Sequence, residues 1–215
     1  MMMMITDACV YPSPMGDSSV RRMALEAREL GFDSLVAIDA GISEYAGVSV
    51  MSGVQIRHTS VQEILSRIKC QKGRDAVVMV EAGDSGFNRA ILTMRGVHIL
   101  CGVHKTDRYG FDHIAAKMAA DHRIAIDISL APVIHGRGVL RQRALDRYLD
   151  IARLYRKFEF PLVLSTHARS VLEMRSVREI SALASLVGLD IMDIEQALGN
   201  AGRLCTPERA VRVIQ

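Results

Sequence analysis

Short apolar runs rich in branched side chains alternate along the chain with longer segments of helical periodicity. Runs of this kind predict β-strands, and apolar positions at three- and four-residue spacing predict amphipathic helices. The predicted strands are residues 6–11, 34–38, 54–57, 76–82, 97–101, 124–129 and 162–165. The predicted helices are residues 18–30, a segment that begins at residue 60, and residues 85–95, 112–122, 138–158, 176–187, 191–198 and 207–213.

Capping residues mark several of the predicted helix ends. Asp17 or Ser18 is expected to cap the first helix, which Gly31 ends. Ser60 followed by Glu63 predicts a capping box. Residues 40–53 contain several Gly and Ser and are predicted to form a loop.

Strands that alternate with helices are typical of a parallel sheet covered by helices. Seven strands in 215 residues favour a small or incomplete TIM-barrel-like (β/α) barrel over an open nucleotide-binding sheet. No G-x-G-x-x-G or G-x-x-x-x-G-K-[ST] motif follows any strand. No repeat or linker divides the chain, so residues 1–215 are predicted to form a single domain. A barrel would gather the loops after its strands on one face, with Asp39, Asp84, Lys105, Arg108, His135, His167 and Arg169.

Composition places the chain among globular proteins, with 49% hydrophobic and 24% charged residues. No run of 18 apolar residues and no signal-peptide pattern is present, so we expect a cytoplasmic protein that makes no membrane contact. The four cysteines lie far apart in the sequence and form no CxxC pair, which predicts free, mostly buried thiols.

The basic residues comprise 22 Arg and 5 Lys, within a net charge of +3. Arg pairs well with phosphate oxygens, so this excess suits a nucleic-acid surface, although codon bias in a GC-rich genome explains it equally well. Residues 131–178 carry a charge of +6 and the remainder −3. The positive potential is therefore concentrated in one part of the chain.

The sequence offers candidate residues for two kinds of enzyme site, a metal site and a nucleophile. His98, His104, His135 and His167 follow or lie in predicted strands, as do Asp39 and Asp127, and three such ligands could hold a metal ion. The spacing is nonspecific, however, because no H-x-H, H-E-x-x-H or H-x-x-x-H is present. Ser165 lacks the G-x-S-x-G elbow of a serine nucleophile, and Cys9 has no identified base.

Residues 102–113 form a loop that combines basic and aromatic side chains, including Lys105 and Arg108. Such a loop can bind phosphate and stack on a base, whereas the alternative is a solvated connection in which Asp112 caps the next helix. Residues 165–175 form a second basic loop, which could bind phosphate with help from the following helix N-terminus. The alternative there is that Arg175 and Arg178 pair with neighbouring glutamates.

The long predicted helix carries charges of both signs on one face, at three- and four-residue spacing. We interpret this face as an ion-paired outer surface and exclude it from the candidate site. Its charged residues are Arg143, Asp146, Arg147, Asp150, Arg153 and Lys157.

Several motifs in a fixed order resemble the archaeal ribonuclease P protein component 3 family. They are EAGD at 81–84, NRA at 88–90, DHIAAKMA at 112–119, IAIDIS at 124–129, AR at 152–153, FPLVLS at 160–165, ARS at 168–170 and MRS at 174–176. The similarity runs collinearly from Asp7 to about Leu198. The order of the motifs is more specific than any single one.

The resemblance implies a TIM-barrel-like fold related to the polymerase and histidinol phosphatase superfamily of metal-dependent phosphoesterases. It implies a subunit of the endonuclease ribonuclease P, which removes the 5′ leader of precursor tRNA, with catalysis by the RNA and its Mg²⁺. The chain itself would then contribute no catalytic residue and bind no metal or cofactor. The implied partners are the ribonuclease P RNA, precursor tRNA, protein component 2 and other protein subunits. The candidate RNA-binding residues are Arg89, Lys105, Arg108, Lys117, Arg169, Arg175 and Arg178.

One departure from the related phosphoesterases bears on activity. Their first strand usually carries H-x-H, and the corresponding positions here are Cys9 and Tyr11. Two implied metal ligands are thus absent, which argues against autonomous hydrolysis. The second hypothesis remains a metal-dependent phosphoesterase or hydrolase that uses His98, His104, His167 and Asp127, and a third is a scaffold whose basic loops contact only protein.

Overall fold

A sheet of mostly parallel strands organises the protein. The computed structural model describes residues 4–57, 59–71 and 75–204. The strands are β1 (Thr6–Val10), β2 (Ser34–Ile38), β3 (Ser43–Tyr45), β4 (Val48–Ile56), β5 (Ala76–Glu81), β6 (Ile99–Cys101), β7 (Ala125–Ser129) and β8 (Leu162–Ser165). Seven of them pair in parallel in the order β1-β2-β4-β5-β6-β7-β8, while β3 pairs antiparallel with β4.

The loop after β8 closes this sheet against β1. His167 N–H donates to Cys9 O at 3.0 Å, and Tyr11 N–H donates to Ala168 O at 2.8 Å. Val10 and Ala168 form a parallel bridge at the same place. The sheet is therefore a nearly closed barrel, which confirms the predicted TIM-barrel-like fold.

Helices cover the outside of the barrel. They are α1 (Val20–Glu29), α2 (Val61–Cys70), α3 (Ser85–Leu92), α4 (His113–His122), α5 (Ala131–His135), α6 (Val139–Phe158), α7 (Val177–Ser185) and α8 (Ile191–Leu204). Short 3-10 helices lie at Val103–Lys105 and Val171–Glu173. The helix α8 packs against β1 and β8, where the barrel closes.

Alternation along the strands divides the apolar residues into two layers. In β7, Ile126 and Ile128 belong to the layer between sheet and helices, whereas Ala125 belongs to the inner layer with Val163. Side chains of a strand alternate between its two faces. Asp127, which lies between Ile126 and Ile128, therefore points into the barrel.

The connection from β8 to α7 runs along α1 to the opposite end of the barrel. At its start Val171 N–H donates to Ser18 Oγ at 3.2 Å, just before α1. At its end Val177 N–H donates to Leu30 O at 3.0 Å, just after α1. The helix α7 thus begins near the N-terminal ends of the strands, although β8 ends at the other face.

Some predicted elements differ from the structure. The predicted loop 40–53 contains β3 and most of β4, joined by a tight turn at Ala46 and Gly47, both of which have positive φ. Because Gly adopts positive φ freely and Ala does not, Ala-Gly is a weak turn signal in the sequence. The last four predicted strands agree with β5, β6, β7 and β8 to within two residues at each end.

Two helix N-termini also differ from the prediction. Ser19 rather than Asp17 or Ser18 caps α1. Ser60 caps α2, but the Glu63 side chain bonds to Thr59 and Arg67, so the predicted capping box is only half formed.

Other differences concern the second half of the chain. The short helix α5 was not predicted, α3 ends three residues before the predicted end, and α8 continues six residues past the predicted end. The predicted helix 207–213 lies outside the described residues. No helix among those described is long and apolar enough to cross a membrane. Cys9 and Cys101 are buried free thiols and Cys70 is an exposed one, while Cys205 lies outside the described range.

Candidate nucleic-acid interface

A buried polar cluster fills the barrel at the C-terminal ends of β7 and β8. His167 Nε2 lies 2.8 Å from Asp127 Oδ2, and Ser165 Oγ donates to the other carboxylate oxygen. Asp127 and Ser165 are fully buried. The cluster therefore ties β7 to the loop after β8.

A second buried carboxylate, that of Asp7 on β1, binds the same loop. Its oxygens accept hydrogen bonds from Thr166 N–H at 3.0 Å, from Thr166 Oγ1, and from Cys9 N–H at 3.2 Å. Burial raises the pKa of Asp7 from 3.8 to about 6, and these hydrogen bonds oppose the rise. Asp7 thus holds the closing loop against the first strand.

Tyr11 connects this cluster to the mouth of the barrel. Its hydroxyl donates to Gln55 Oε1 at 2.8 Å and lies 3.0 Å from His167 Nδ1. Because the Tyr11 hydroxyl donates its proton to Gln55, its oxygen accepts a hydrogen bond from His167 Nδ1. The other ring nitrogen, Nε2, donates to the Asp127 carboxylate, so both nitrogens of His167 carry a proton. Burial opposes the charged imidazole, but Cys9 and Asp127 raise the pKa of His167 well above its ordinary value of 6.5.

The remaining histidines of the metal hypothesis have other partners. His135 Nε2 lies 4.0 Å from Glu173 Oε1. His104 Nδ1 lies 2.7 Å from the Tyr148 hydroxyl, which donates to Ser129 O, and burial lowers the pKa of His104 to about 4. His98 Nδ1 accepts from Val78 N–H at 3.0 Å. Within the described residues, no group of three or more His, Cys, Asp or Glu side chains is placed to hold a metal ion.

The structure places the imidazole of His167 beside the Cys9 thiol, but both candidate nucleophiles are buried. Ser165 is fully buried and its hydroxyl is hydrogen-bonded to Asp127, so no substrate reaches it. Cys9 is also fully buried. The polar side chains of the barrel end stabilise the fold by bonding to one another.

Lys105 and Arg169 lie at the rim of a cavity of about 360 Å³ at the barrel end, called here the mouth cavity. Lys105 Nζ lies 2.6 Å from Glu81 Oε1. Arg169 stacks over the Tyr11 ring, 4.7 Å from its centroid, and its Nη1 donates to Met15 O at 3.0 Å. Exposed ion pairs contribute only about 0–1 kcal/mol, so a phosphate can replace Glu81 beside Lys105 at little cost.

Arg108 lines a second cavity of about 360 Å³, called here the loop cavity, between the loop 106–113 and α6. Its Nε lies 3.8 Å from Asp150 Oδ2. Arg147 and Arg153 of α6 line the same cavity. The side chain of Arg147 is 7% exposed, and its Nη2 donates to Phe111 O at 3.0 Å.

Arg89 lies behind the loop 106–113, on α3. Its Nη2 donates to Asp112 Oδ2 at 2.8 Å, and Asp112 also caps α4 by accepting from Ile114 and Ala115 N–H. The expected capping role of Asp112 is thus confirmed. Lys117 is exposed on the next turn of α4.

Arg175 and Arg178 lie apart from the other candidates. Arg175 Nη1 donates to the carbonyl oxygens of Leu172 and Met174, and Arg178 is exposed on α7. The N-terminus of α7 lies at the other end of the barrel and is capped by a box between Ser176 and Glu179. The expectation that this helix N-terminus assists phosphate binding at the second basic loop is therefore wrong.

The family model described as RNase P subunit p30 matches residues 4–212. The chain belongs to this family. Ribonuclease P protein component 3 of Haloarcula marismortui is 27% identical, over 93% of this chain and 89% of the relative. The same component of Methanosarcina acetivorans is 30% identical, over 86% of this chain and 81% of the relative.

Solved structures support the fold of this p30 family member. A chain in a cryo-EM structure of archaeal ribonuclease P with mature tRNA superposes with a TM-score of 0.76 at 21% identity, covering 93% of this chain and 89% of that one. A Xaa-Pro dipeptidase with bound methionine gives a TM-score of 0.63 at 9% identity, covering 94% of this chain and 75% of that one. The family resemblance of the motifs is confirmed, and with it the expectation of a ribonuclease P protein subunit.

The structure adds residues that the sequence reasoning excluded. Arg147 and Arg153 belong to the face of α6 interpreted as an ion-paired outer surface, yet both line the loop cavity. Arg147 contacts Phe111, 36 positions away in sequence. A helical wheel shows which residues share a face, but not which distant loop covers that face.

Proposed function

We propose that this subunit of ribonuclease P binds the RNA of the enzyme and supports removal of the 5′ leader from precursor tRNA. Cleavage is performed by the RNA with its Mg²⁺, and the chain binds no cofactor of its own. Arg and Lys side chains neutralise and position RNA phosphates, which stabilises the active shape of the RNA. A cytoplasmic location is part of the proposal.

The chemistry at the end of the barrel carries the proposal. Barrel enzymes place their catalytic groups at the C-terminal ends of the strands. Here His167, Asp127 and Ser165 bond to one another at this place, and Lys105 and Arg169 lie at the rim. This arrangement supports binding of a polyanion rather than catalysis by the chain.

The partners follow from the relatives. The solved archaeal ribonuclease P that contains a chain of this fold also contains mature tRNA. By analogy the partners here are the ribonuclease P RNA, precursor tRNA, protein component 2 and other protein subunits. The RNA contacts are Arg89, Lys105, Arg108, Lys117, Arg169, Arg175 and Arg178.

Purification of the tagged full chain from its own cells, with and without nuclease treatment, tests the proposal. We expect one structured RNA and precursor tRNA to be enriched by sequencing, and nuclease to remove both. Enrichment of protein partners without any specific RNA would contradict the proposal and favour a scaffold that contacts only protein.

A further inference from the structure

The loop cavity contains a buried guanidinium whose hydrogen bonds are incomplete. Arg147 is 7% exposed, its Nη2 donates to Phe111 O, and its Nε is buried without a hydrogen-bond partner among the described residues. A buried charge is costly unless it is paired and fully hydrogen-bonded. Arg147 therefore lies in a site whose polar groups are not satisfied by the chain itself.

The surroundings of Arg147 carry an excess of positive charge. Arg108 and Arg153 line the same cavity, and both are paired with Asp150, at 3.8 and 3.1 Å. The other carboxylate of the lining, that of Asp112, is paired with Arg89. Asp107, outside the lining, adds a second carboxylate whose charge acts on Arg147. Three arginines thus face two carboxylates, and the side chains of Arg108 and Arg153 are 80% and 72% exposed. This charge balance favours an anionic ligand.

An exposed aromatic ring adjoins these arginines. Tyr109 lines the cavity, and 77% of its surface is exposed. An exposed tyrosine beside a phosphate site is a stacking platform for a base, since aromatic rings stack on unpaired bases with little regard to sequence. A phosphate group without a base has no aromatic surface that could stack on this ring.

We propose that the loop cavity binds one unpaired nucleotide of RNA, with the phosphate against Arg147 and the base stacked on Tyr109. Arg108 and Arg153 exchange Asp150 for oxygens of the same phosphate or of the next one. The inference rests on the proposed function and deepens it, because it names a single-stranded nucleotide as what this part of the surface binds. Arg guanidinium groups suit phosphate because their donors match its oxygens in pairs.

Fluorescence anisotropy with the purified full chain and a short labelled single-stranded oligoribonucleotide tests the site. Tyr109→Ala should weaken binding by about tenfold, and Tyr109→Phe, which keeps the ring, should stay within about twofold of the unchanged protein. Arg147→Lys keeps the charge but loses the paired donors, and should also weaken binding by about tenfold. Arg21→Ala on α1 removes one exposed charge outside the cavity and serves as the control for a general loss of positive charge.

The folding of each variant is monitored by circular dichroism and urea denaturation. If Arg147→Lys does not fold, Tyr109→Ala still tests the site, because Tyr109 is exposed. A duplex of the same sequence should bind less tightly than the single strand and should be insensitive to Tyr109→Ala. RNA affinities of Tyr109→Ala and Arg147→Lys equal to that of the Arg21→Ala control would overturn the inference. If those variants instead lost a protein subunit in co-purification, the surface would belong to an acidic protein partner.

The two proposals fail in different ways. If the chain is needed for precursor tRNA cleavage but the cavity variants bind RNA normally, only the inference about the loop cavity is wrong. If the chain binds no RNA and is not needed for cleavage, the proposed function itself is wrong.

Discussion

His167 Nε2 donates to Asp127 Oδ2 across 2.8 Å inside the barrel, and this contact joins β7 to the loop that closes the sheet. Asp127 is fully buried. Removing one partner of a buried ion pair leaves an uncompensated charge and costs about 3–5 kcal/mol. The pair therefore contributes to the stability of the closed barrel.

Asp127→Asn should lower the free energy of unfolding by about 3 kcal/mol, measured by urea denaturation. Because the pKa of His167 is raised, the stabilisation is complete below the ordinary value of 6.5 and is lost as the pH rises through the raised pKa. The difference in the free energy of unfolding between the unchanged protein and Asp127→Asn should accordingly become smaller at alkaline pH. Glu26→Gln, which breaks an exposed pair with Arg22 on α1, should cost less than about 0.5 kcal/mol. Equal effects of the two substitutions would refute the structural role.

Asp7 predicts a second pH dependence. Its pKa is about 6 in the folded protein against 3.8 for the ordinary group, so the folded state holds the proton more tightly. The free energy of unfolding should therefore fall as the pH rises from about 4 to about 6, by about 3 kcal/mol. Asp7→Asn should lack this fall when both proteins are unfolded with urea across the range. Parallel pH profiles for the two proteins would contradict the raised pKa.

Asn88 holds the loop that carries the basic and aromatic residues. Its Nδ2 donates to Gly83 O at 2.9 Å and Gly110 O at 2.7 Å, and its Oδ1 accepts from Gly83 N–H at 2.8 Å. Asn88→Ala should cost about 3 kcal/mol, because each lost hydrogen bond contributes about 1 kcal/mol. Asn200→Ala, which removes one bond to Leu162 O, should cost about 1 kcal/mol.

The same Asn88 variant should also weaken RNA binding, since Gly110 follows Tyr109 in the loop cavity. Fluorescence anisotropy with the single-stranded oligoribonucleotide measures this effect under conditions in which the Asn88→Ala protein remains folded. Full RNA affinity in a destabilised Asn88→Ala protein would show that the loop needs no support from α3.

Arg169→Ala and Arg108→Ala should slow precursor tRNA cleavage in a reconstituted enzyme by about tenfold at low Mg²⁺, and less at high Mg²⁺. Arginine and Mg²⁺ both neutralise RNA phosphates, so each compensates for loss of the other. Arg28→Ala, an exposed substitution on α1, is the matched control. A loss of rate independent of Mg²⁺ would point away from phosphate neutralisation.

Much of the barrel can be predicted from the sequence because each parallel strand is a short apolar run between polar turns. Residues 34–38 and 162–165 coincide with β2 and β8. The hairpin of β3 and β4 was missed because β3 is only three residues long and Ala46-Gly47 is a weak turn signal, although Val48 and Val50 alternate with Ser49 as in a half-buried strand. The burial of Arg147 was also missed, because it depends on a loop that is distant in sequence and adjacent only in the fold.

The position of Arg178 shows a similar limit. The sequence places it soon after β8, yet the connection runs the length of α1 before α7 begins. Lys105 and Arg169, in contrast, lie at the rim of one cavity as the barrel predicts. Positions directly after strands are thus predictable, and positions after long connections are not.

Reconstitution of the enzyme from a matching ribonuclease P RNA and the other protein subunits, with this chain present or omitted, tests the proposed function most directly. Cleavage of precursor tRNA at limiting Mg²⁺ is measured in both mixtures, and the chain is also assayed alone. We expect cleavage to fall strongly when the chain is omitted, to return when it is added back, and to be absent from the chain alone. Equal cleavage with and without the chain, or hydrolysis by the chain alone, would contradict a subunit that supports catalysis by RNA.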